Sequence, residues 1–219
     1  NIHLMPDLFI FLPKIYKFKP NLMNPLVTIV IPIYKVEKFI VRCLQSVVNQ
    51  LYKNIECILV NDVTPDSSMQ IAQDFITKHL DFDFKIINQP FNQGLSMARN
   101  AGMDLAQGKY IYFLDSDDEI TDYAIQNLVG LAEKTNAEMV LGQSVCINEE
   151  ENWKRNYFPI TSEKDVIEGS KNIVWSFVKG KYPVMACDKL VRMDFLMEHK
   201  LYFVKDLFSQ DVLWSFQSM

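Results

Sequence analysis

Two kinds of apolar pattern alternate along the first two thirds of the chain, and this alternation limits the possible folds more than any other feature. Short runs rich in β-branched and aromatic residues have the length and composition of buried strands. The stretches between them repeat apolar residues at helical spacing, as in Val36–Val48 and Ile120–Thr135. The predicted strands are Leu26–Pro32, Ile55–Val60, Phe84–Asn88, Tyr110–Leu114 and Ala137–Val145.

Continuously apolar strands separated by single helices predict a mostly parallel central sheet with helices on both faces. The expected fold class is therefore α/β, a sandwich of the Rossmann type. Such sheets bind ligands beyond the carboxyl ends of their strands, so the residues that follow each strand are candidates for a site. These residues are Ile33-Tyr34, Asn61-Asp62, Gln89-Pro90 and Asp115-Ser116-Asp117-Asp118.

The acidic cluster after the fourth predicted strand is the sharpest of these features. Asp115, Asp117 and Asp118 repel one another, and carboxylate oxygens suit a hard divalent cation that also takes phosphate oxygens. Alternatively, Ser116, Asp117 or Asp118 caps the helix expected to begin near Ile120. Placement at a strand end favours the metal, although both roles are compatible.

Three further polar residues have a functional and a structural interpretation. Asp62 could accept a hydrogen bond from a nucleobase, or form an Asx-turn into the next helix. Arg99 lies in an otherwise small and apolar helix, where it could bind a phosphate or a carboxylate, or lie on the surface. Asp211 precedes an apolar stretch that predicts a helix beginning near Ser209, and by position alone it is a helix cap.

Charge and cysteine content exclude other classes. The net charge of −5 argues against a nucleic-acid partner, since such domains usually carry a basic face. It suits an enzyme that meets an anionic substrate through a bound cation. The cysteines are far apart and their spacing does not suit zinc, so we expect reduced, buried thiols in a cytoplasmic protein.

The amino-terminal segment Met5–Phe18 is apolar and aromatic, but two prolines and Asp7 make it too broken for a signal peptide. No apolar run in the sequence is long enough to span a membrane. We expect residues 1–24 to form an arm that mediates a homodimer or a peripheral contact with the inner face of the membrane. The apolar side chains of this arm are Leu8, Phe9, Ile10, Phe11, Leu12, Ile15 and Tyr16.

Taken together, four segments in order resemble the family 2 glycosyltransferases of the GT-A fold, over about Pro25–Asp211. Each segment alone is a weak match, but four in the family's order and at suitable intervals are a strong one. The segments are VTIVIPIYKVEKFI, IECILVNDVTPDSS, FNQGLSMARNAGMDLAQGKYIYFLDSDDEI and CDKLVRMDFLMEHKLYFVKDLFSQDVLW.

The resemblance implies roles for individual residues. Asp117 matches the principal ligand of Mn²⁺ or Mg²⁺, and Asp115 matches a second metal ligand that also contacts the ribose or sugar. Asp62 matches a uracil contact, Arg99 an arginine near the diphosphate or donor sugar, and Asp211 the general base. The remaining expected donor-binding residues are Pro32, Ile33, Tyr34 and Ser116.

Two departures from the family pattern stand out. The turn after Asp62 usually reads Gly-Ser-Thr-Asp, whereas this chain has Val63-Thr64-Pro65-Asp66. Loss of the glycine changes the backbone freedom of this turn. The family's late Glu-Asp pair is Gln210-Asp211 here, so the aspartate is kept and the glutamate is not.

The expected function is metal-dependent, inverting transfer of a sugar from a nucleotide-diphosphate donor to a hydroxyl of a saccharide or lipid-linked acceptor, and the resemblance implies that the donor is a UDP-sugar. We expect one domain over residues 25–219, with a nucleotide half to about residue 120 and an acceptor half that residues beyond Met219 could complete. One alternative is a catalytically silent scaffold that binds nucleotide sugars. Another is a nucleotidyltransferase, although Tyr34–Glu37 lacks the glycine-rich basic loop of that class.

Overall fold

A computed structural model describes residues 3–5, 24–148, 153–156, 167, 169–180 and 182–219. The strands are β1 His3–Met5, β2 Val27–Ile33, β3 Ile55–Asn61, β4 Asp83–Asn88, β5 Tyr110–Phe113, β6 Met139–Leu141, β7 Val145–Asn148, β8 Trp153–Asn156 and β9 Lys189–Arg192. The helices are α1 Ile40–Val48, α2 Ser68–Ile76, α3 Leu95–Leu105, α4 Ala124–Thr135, α5 Ser170–Val178, α6 Met193–Glu198 and α7 Gln210–Gln217. A short 3₁₀ turn, Ala186–Asp188, precedes β9.

The central sheet has six strands in the order β4-β3-β2-β5-β9-β6. Strands β2 to β5 run parallel to one another, and β9 pairs antiparallel with both β5 and β6. The register places Ile33 beside Asn61 and Asn61 beside Asn88, so the carboxyl ends of three strands meet at one edge. This confirms the predicted α/β class and the mostly parallel sheet.

Alternate residues of the central strands enter two separate cores. On one face, Ile29 and Ile31 pack with α1, α2 and α4; on the other, Val30 and Ile58 pack with α3, α6 and α7. Helix α3 approaches the sheet closely at Gly102, where a Cβ atom would lie 2.3 Å from Cγ1 of Val30. Both faces are therefore covered, as continuous apolarity in the strands predicts.

The predicted strand Ala137–Val145 is wrong as a single element. Its first part forms β6 in the central sheet, whereas its end belongs to β7, which pairs with β1 and β8 in a second, antiparallel sheet. Gly142 lies between the two and donates its backbone N–H to the carbonyl of Asp188 at 2.6 Å. The chain thus leaves one sheet for the other at Gly142-Gln143-Ser144, the polar residues inside the predicted strand.

The expected amino-terminal arm lies largely outside the described residues. His3–Met5 pairs with Val145–Ile147. The apolar side chains assigned to the arm, from Leu8 to Tyr16, are not among the described positions. Across the described stretches, no helix has the length and apolarity needed to cross a bilayer.

All four cysteines lie in described parts of the chain, and they are buried and form no disulfide there. Burial raises the pKa of the Cys43, Cys57 and Cys187 thiols, with nearby carboxylates adding to the effect. These thiols are therefore protonated at neutral pH. The expectation of buried, reduced cysteines is confirmed for them.

Candidate active site at the carboxyl edge of the sheet

The acidic cluster begins directly after β5, where the chain turns away from the sheet. The backbone N–H of Asp118 donates to the carbonyl of Asp115 at 3.0 Å, closing a tight turn. Ser116 and Asp118 are buried, Asp115 is half-buried and Asp117 is exposed. The next helix, α4, begins only at Ala124, so the alternative that these residues cap it is wrong.

The donor atoms of this turn fit a hard cation. Ligand atoms of Asp115, Asp118 and Cys187 all lie within 4.8 Å of one another. The Cys187 thiol has a raised pKa, through burial and then the neighbouring carboxylates, and a protonated thiol is a poor ligand. The oxygens that remain are carboxylates, the ligands that Mg²⁺ and Mn²⁺ prefer. Asp118 belongs to the acidic cluster, but the resemblance named Asp117 and Asp115 as the ligands; the group that the fold brings together contains Asp115 and Asp118, and not Asp117.

Arg99 is fully buried, so the alternative of a surface arginine is wrong. One terminal nitrogen donates to Oδ1 of Asp115 at 2.7 Å, and the other donates to Oδ1 of Asp211. Burial alone would lower the pKa of the guanidinium, but these two carboxylates raise it above its usual value. Arg99 therefore carries a permanent positive charge between two acids that are far apart in sequence.

Asp211 lies in the first turn of α7, which begins one residue after Ser209 and confirms the expected helix start. Its Oδ2 accepts a hydrogen bond of 3.1 Å from the backbone N–H of Ala186, while Oδ1 faces Arg99. Both carboxylate oxygens thus contact groups outside the helix, so a simple cap does not describe Asp211. Its side chain stays 21% exposed, which leaves access for a substrate.

Asp62 follows β3 and is almost fully buried. Its two carboxylate oxygens accept from the backbone N–H groups of Gln93, at 2.7 Å, and Gly94, at 2.9 Å. The Asx-turn expected at this position is made instead by Asn61, whose Oδ1 accepts from the N–H of Thr64 at 3.0 Å. Asp62 therefore fixes the loop that leads into α3. Each of its oxygens still has a second lone pair for a ligand.

The remaining donor-binding candidates lie at the end of β2. Pro32 and Ile33 are buried within the strand, and Tyr34 is exposed just beyond it. The following loop is bonded to the turn after β3, because the N–H of Lys35 donates to Oγ1 of Thr64 at 2.8 Å. The strand ends that carry the candidates are thus held side by side.

The turn after Asp62 adopts the conformation that the missing glycine would favour. Val63 has a φ of 55°, in the left-handed region that β-branched residues rarely adopt. Asp66 anchors this turn, accepting from the hydroxyls of Thr64 and Ser68 at 2.6 Å each. The turn therefore has a left-handed residue at the position where the family pattern has glycine, and Asp66 holds it by hydrogen bonds.

Sequence reasoning missed the contacts that hold Asp211 in place. Asn100, next to Arg99, donates through Nδ2 to the carbonyl of Phe203 at 2.8 Å and accepts through Oδ1 from its N–H at 2.9 Å. The Phe203 ring lies 5.1 Å from the Arg99 guanidinium and stacks on Trp214 at 4.8 Å. A buried asparagine in a small apolar helix was the available signal.

Comparison with known proteins places this site in context. The sequence profile described as glycosyl transferase family 2 matches residues 28–187. The protein named uncharacterized glycosyltransferase EpsJ of Bacillus subtilis is 44% identical over 118 residues, which is 54% of this chain and 33% of that protein. The putative glycosyltransferase EpsH of the same organism is 32% identical over 181 residues, 82% of this chain and 51% of that protein. The chain thus spans about half or less of the length of these relatives.

Solved structures share the fold at low sequence identity. The crystal structure of residues 1–349 of Staphylococcus aureus TarS with UDP-GlcNAc has a TM-score of 0.73 and 20% identity, covering 88% of this chain and 53% of that one. A mannosyltransferase from Pyrobaculum calidifontis in complex with GDP-Man and Mn²⁺ has a TM-score of 0.65 and 15% identity, covering 92% and 54% respectively. The central sheet and its helices therefore have the GT-A arrangement.

Proposed function

Because this chain belongs to the family 2 glycosyltransferases, we propose that it transfers a sugar from a nucleotide-diphosphate donor to an acceptor hydroxyl, with a UDP-sugar as the donor and with inversion at the anomeric carbon. The observation that carries the proposal is the bridge made by Arg99 between Asp115 and Asp211. It brings the acidic turn after β5 and the first turn of α7 to one place, although the two are far apart in sequence.

A cation, Mn²⁺ or Mg²⁺, would be held by Asp117 and Asp115, with the nearby carboxylate of Asp118 adding negative charge. When bound, it supplies Lewis-acid stabilisation of the charge on the departing diphosphate. The support for a cation is the carboxylate content of the turn and the Mn²⁺ in the Pyrobaculum structure. Asp115 would also contact the ribose or the donor sugar.

The donor would bind along the ends of β2, β3 and β5. Asp62 would accept from the N3–H of uracil through a free lone pair, while its backbone contacts hold the loop before α3. Pro32, Ile33, Tyr34 and Ser116 would complete the nucleotide-binding surface. UDP is proposed on the resemblance and on the UDP-GlcNAc bound to TarS.

Transfer then requires one base. The acceptor oxygen forms a bond to the anomeric carbon, the bond from that carbon to the diphosphate oxygen breaks, and its electron pair leaves with the nucleotide diphosphate. Asp211 takes the proton of the acceptor hydroxyl. Its partly exposed carboxylate, held by Arg99 and the N–H of Ala186, suits this role.

The acceptor is proposed to be a saccharide or a lipid-linked saccharide in polysaccharide or glycolipid assembly. One relative, the minor teichoic acid biosynthesis protein GgaB of Bacillus subtilis, is 34% identical over 114 residues, which is 51% of this chain and 12% of that protein. A cytoplasmic location, a homodimer and a peripheral membrane contact through residues 1–24 belong to the same proposal. Sedimentation and liposome binding of a variant that starts at Asn24 would test the role of that arm.

The test of the proposed function is a screen of UDP-, GDP- and CDP-sugars with Mn²⁺, Mg²⁺ or EDTA. A donor that binds the folded state raises the melting temperature by mass action, and transfer releases the nucleotide. We expect a stabilising UDP-sugar whose effect disappears with EDTA, and a product of inverted configuration by NMR. Binding without transfer to any acceptor in a broad panel would instead favour the catalytically silent scaffold.

A further inference from the structure

Arg99 uses both ends of its guanidinium on protein carboxylates. Its side chain is 1% exposed, and its two terminal nitrogens contact the carboxylates of Asp115 and Asp211. Arginine is a rigid planar fork, so contacts with two acids fix both relative to its own helix. Three N–H donors of the guanidinium remain, one on Nε and one on each terminal nitrogen, but the side chain is so buried that a diphosphate could reach them only if the groups around it, including these carboxylates, moved away.

The burial of Arg99 makes such a movement costly. A buried ion pair that loses one partner leaves an uncompensated charge in a poorly solvated place. The Nε atom of Arg99 is already buried with no hydrogen-bond partner within the described part of the chain, so the two carboxylates carry the compensation. The arginine is therefore tied to the acids more strongly than an exposed phosphate-binding arginine would be.

The neighbouring residue fixes the segment that leads to Asp211. Asn100 holds the backbone of Phe203 at both its N–H and its carbonyl. The Phe203 ring covers the Arg99 guanidinium and stacks on Trp214 of α7. Helix α3 thus holds this part of the chain at two points, the Phe203 backbone and the Asp211 carboxylate.

From this geometry we propose that Arg99 is a positioning residue, which sets the general base Asp211 relative to the donor-side carboxylate Asp115, and that it is not a ligand of the donor diphosphate. This inference rests on the proposed function, and it replaces the role that the family resemblance implies for Arg99. In this role, Arg99 fixes the distance between the carboxylates of Asp115 and Asp211. Errors of about 1 Å in the placement of a reacting group cost on the order of 10²-fold in rate.

The test compares Arg99→Gln with wild type in UDP affinity, donor KM and kcat, with circular dichroism and thermal melting to establish folding. A positioning role predicts a kcat lower by on the order of 10² and a UDP affinity changed by less than about threefold. Loss of a diphosphate contact would instead weaken UDP binding by about 10- to 100-fold. The control is Arg42→Gln, which removes a partly exposed arginine that pairs with Glu119.

Two further variants test whether Arg99 acts through its two contacts with carboxylates. Arg99→Lys retains the positive charge but not the planar fork, so its kcat should lie between those of Arg99→Gln and wild type. If Arg99→Gln does not fold, Arg99→Lys is compared with wild type in its place. In an Asp211→Asn background, Arg99→Gln should lower kcat by less than about threefold more, because it acts through Asp211.

An unchanged kcat in Arg99→Gln, a weakened UDP affinity, or full additivity with Asp211→Asn would overturn the inference. Wild-type turnover is measured first, because its absence counts against the proposed function and not against the role of Arg99. In that case UDP affinity alone decides: retention in Arg99→Gln supports positioning, and a loss of about tenfold or more overturns it.

Discussion

The carboxylate of Asp62 and the backbone N–H of Gly94 are joined by a hydrogen bond of 2.9 Å between the end of β3 and the residue before α3. Gly94 has a φ of 83°, a conformation that side chains disfavour. The bond links the proposed base-binding residue to the loop at the start of the helix that carries Arg99. A change at Asp62 should therefore affect both nucleotide selectivity and the stability of this loop.

We predict that Asp62→Ala reduces the preference for UDP over CDP more than it reduces affinity for pyrophosphate. Cytidine lacks the N3 proton that Asp62 would accept, so wild type should prefer UDP. The variant should also lose about 1–3 kcal/mol of stability, since two part-buried N–H groups lose their acceptor. Calorimetric titrations and urea unfolding measure the two effects. Equal binding of UDP and CDP by wild type would contradict the assignment.

For the proposed metal site, Asp117→Ala should weaken UDP binding in the presence of Mn²⁺ and leave little further effect of EDTA. Loss of a residue that only orients a metal-coordinating side chain lowers metal affinity by about 10- to 100-fold, so loss of a coordinating side chain itself should lower it at least as much. Asp117 is exposed, and its removal should leave the fold intact. Asp122→Ala, which removes another exposed carboxylate nearby, is the control. An unaltered dependence on Mn²⁺ in Asp117→Ala would exclude this residue as a ligand.

Replacing the base by an amide should separate binding from turnover. Asp211→Asn keeps an oxygen that can accept from Arg99 or from the N–H of Ala186, but it removes the basicity. Loss of a general base costs about 10² to 10⁴ in rate, and UDP affinity should change little. Asp206→Asn, an exposed aspartate on the preceding loop, is the matched control. Near-normal turnover of Asp211→Asn with its true acceptor would assign the proton to another group.

The left-handed conformation of Val63 gives a stability prediction. A left-handed L-residue costs about 1–2 kcal/mol, whereas glycine adopts this conformation freely but loses more entropy on folding. Val63→Gly should therefore stabilise the protein by about 0.5–1 kcal/mol, with little lost burial because Val63 is exposed. Val63→Ala should gain less. Thermal unfolding of the three proteins tests the ranking, and a destabilised glycine variant would show that the Val63 side chain has a contact worth more than the strain.

Glu56 makes the stability of the protein depend on pH. Its side chain is fully buried and accepts hydrogen bonds from the hydroxyl of Thr28 and the ammonium of Lys85, at 2.5 Å each. It also accepts from the backbone N–H of Gln107 at 2.6 Å. Burial alone would raise its pKa, but these hydrogen bonds hold the pKa below its usual value. Its contribution to stability is therefore complete above the pKa of an unfolded glutamate and is lost as the pH falls through the lower folded value.

Accordingly, Glu56→Gln should lower the free energy of unfolding by about 1–3 kcal/mol at neutral pH, and the difference from wild type should shrink below about pH 4. Urea unfolding at a series of pH values measures this difference. Asp83→Asn, which removes the exposed second partner of Lys85, should show a much smaller change. A difference that grows as the pH falls would contradict the sign of the shift.

The core of the sheet was predictable because burial leaves a direct trace in the sequence. Strand β3 appears as a continuous apolar run because both faces of the sheet are covered. Gly142-Gln143-Ser144 mark the division of Ala137–Val145, but not that its two parts join different sheets, since periodicity reports burial and not the identity of the pairing partner. Over Cys187–Leu201 the sequence mixes strand and helix signals, because the short strand β9 is followed directly by α6.

In the candidate site too, local features were predictable from the sequence and long-range contacts were not. Strand ends identified the acidic turn and Asp62, because in a parallel sheet the ends of neighbouring strands share one edge. The partner of each carboxylate was beyond local reasoning. Arg99 meets Asp211 across 112 positions, and Asp62 bonds to a loop 31 and 32 positions away. Only the complete fold brings these groups together, so their roles could be assigned from sequence only by resemblance.

The place of β9 in the sheet has a consequence for how the chain folds. Strand β5 is an interior strand only because β9 pairs with it, and β9 begins nearly eighty residues later, at Lys189. During synthesis, β5 is therefore an open edge until Lys189–Arg192 emerges, and such edges invite pairing with other chains. Closing so long a loop also slows folding. The strand that completes the sheet is thus the step at which folding competes with aggregation.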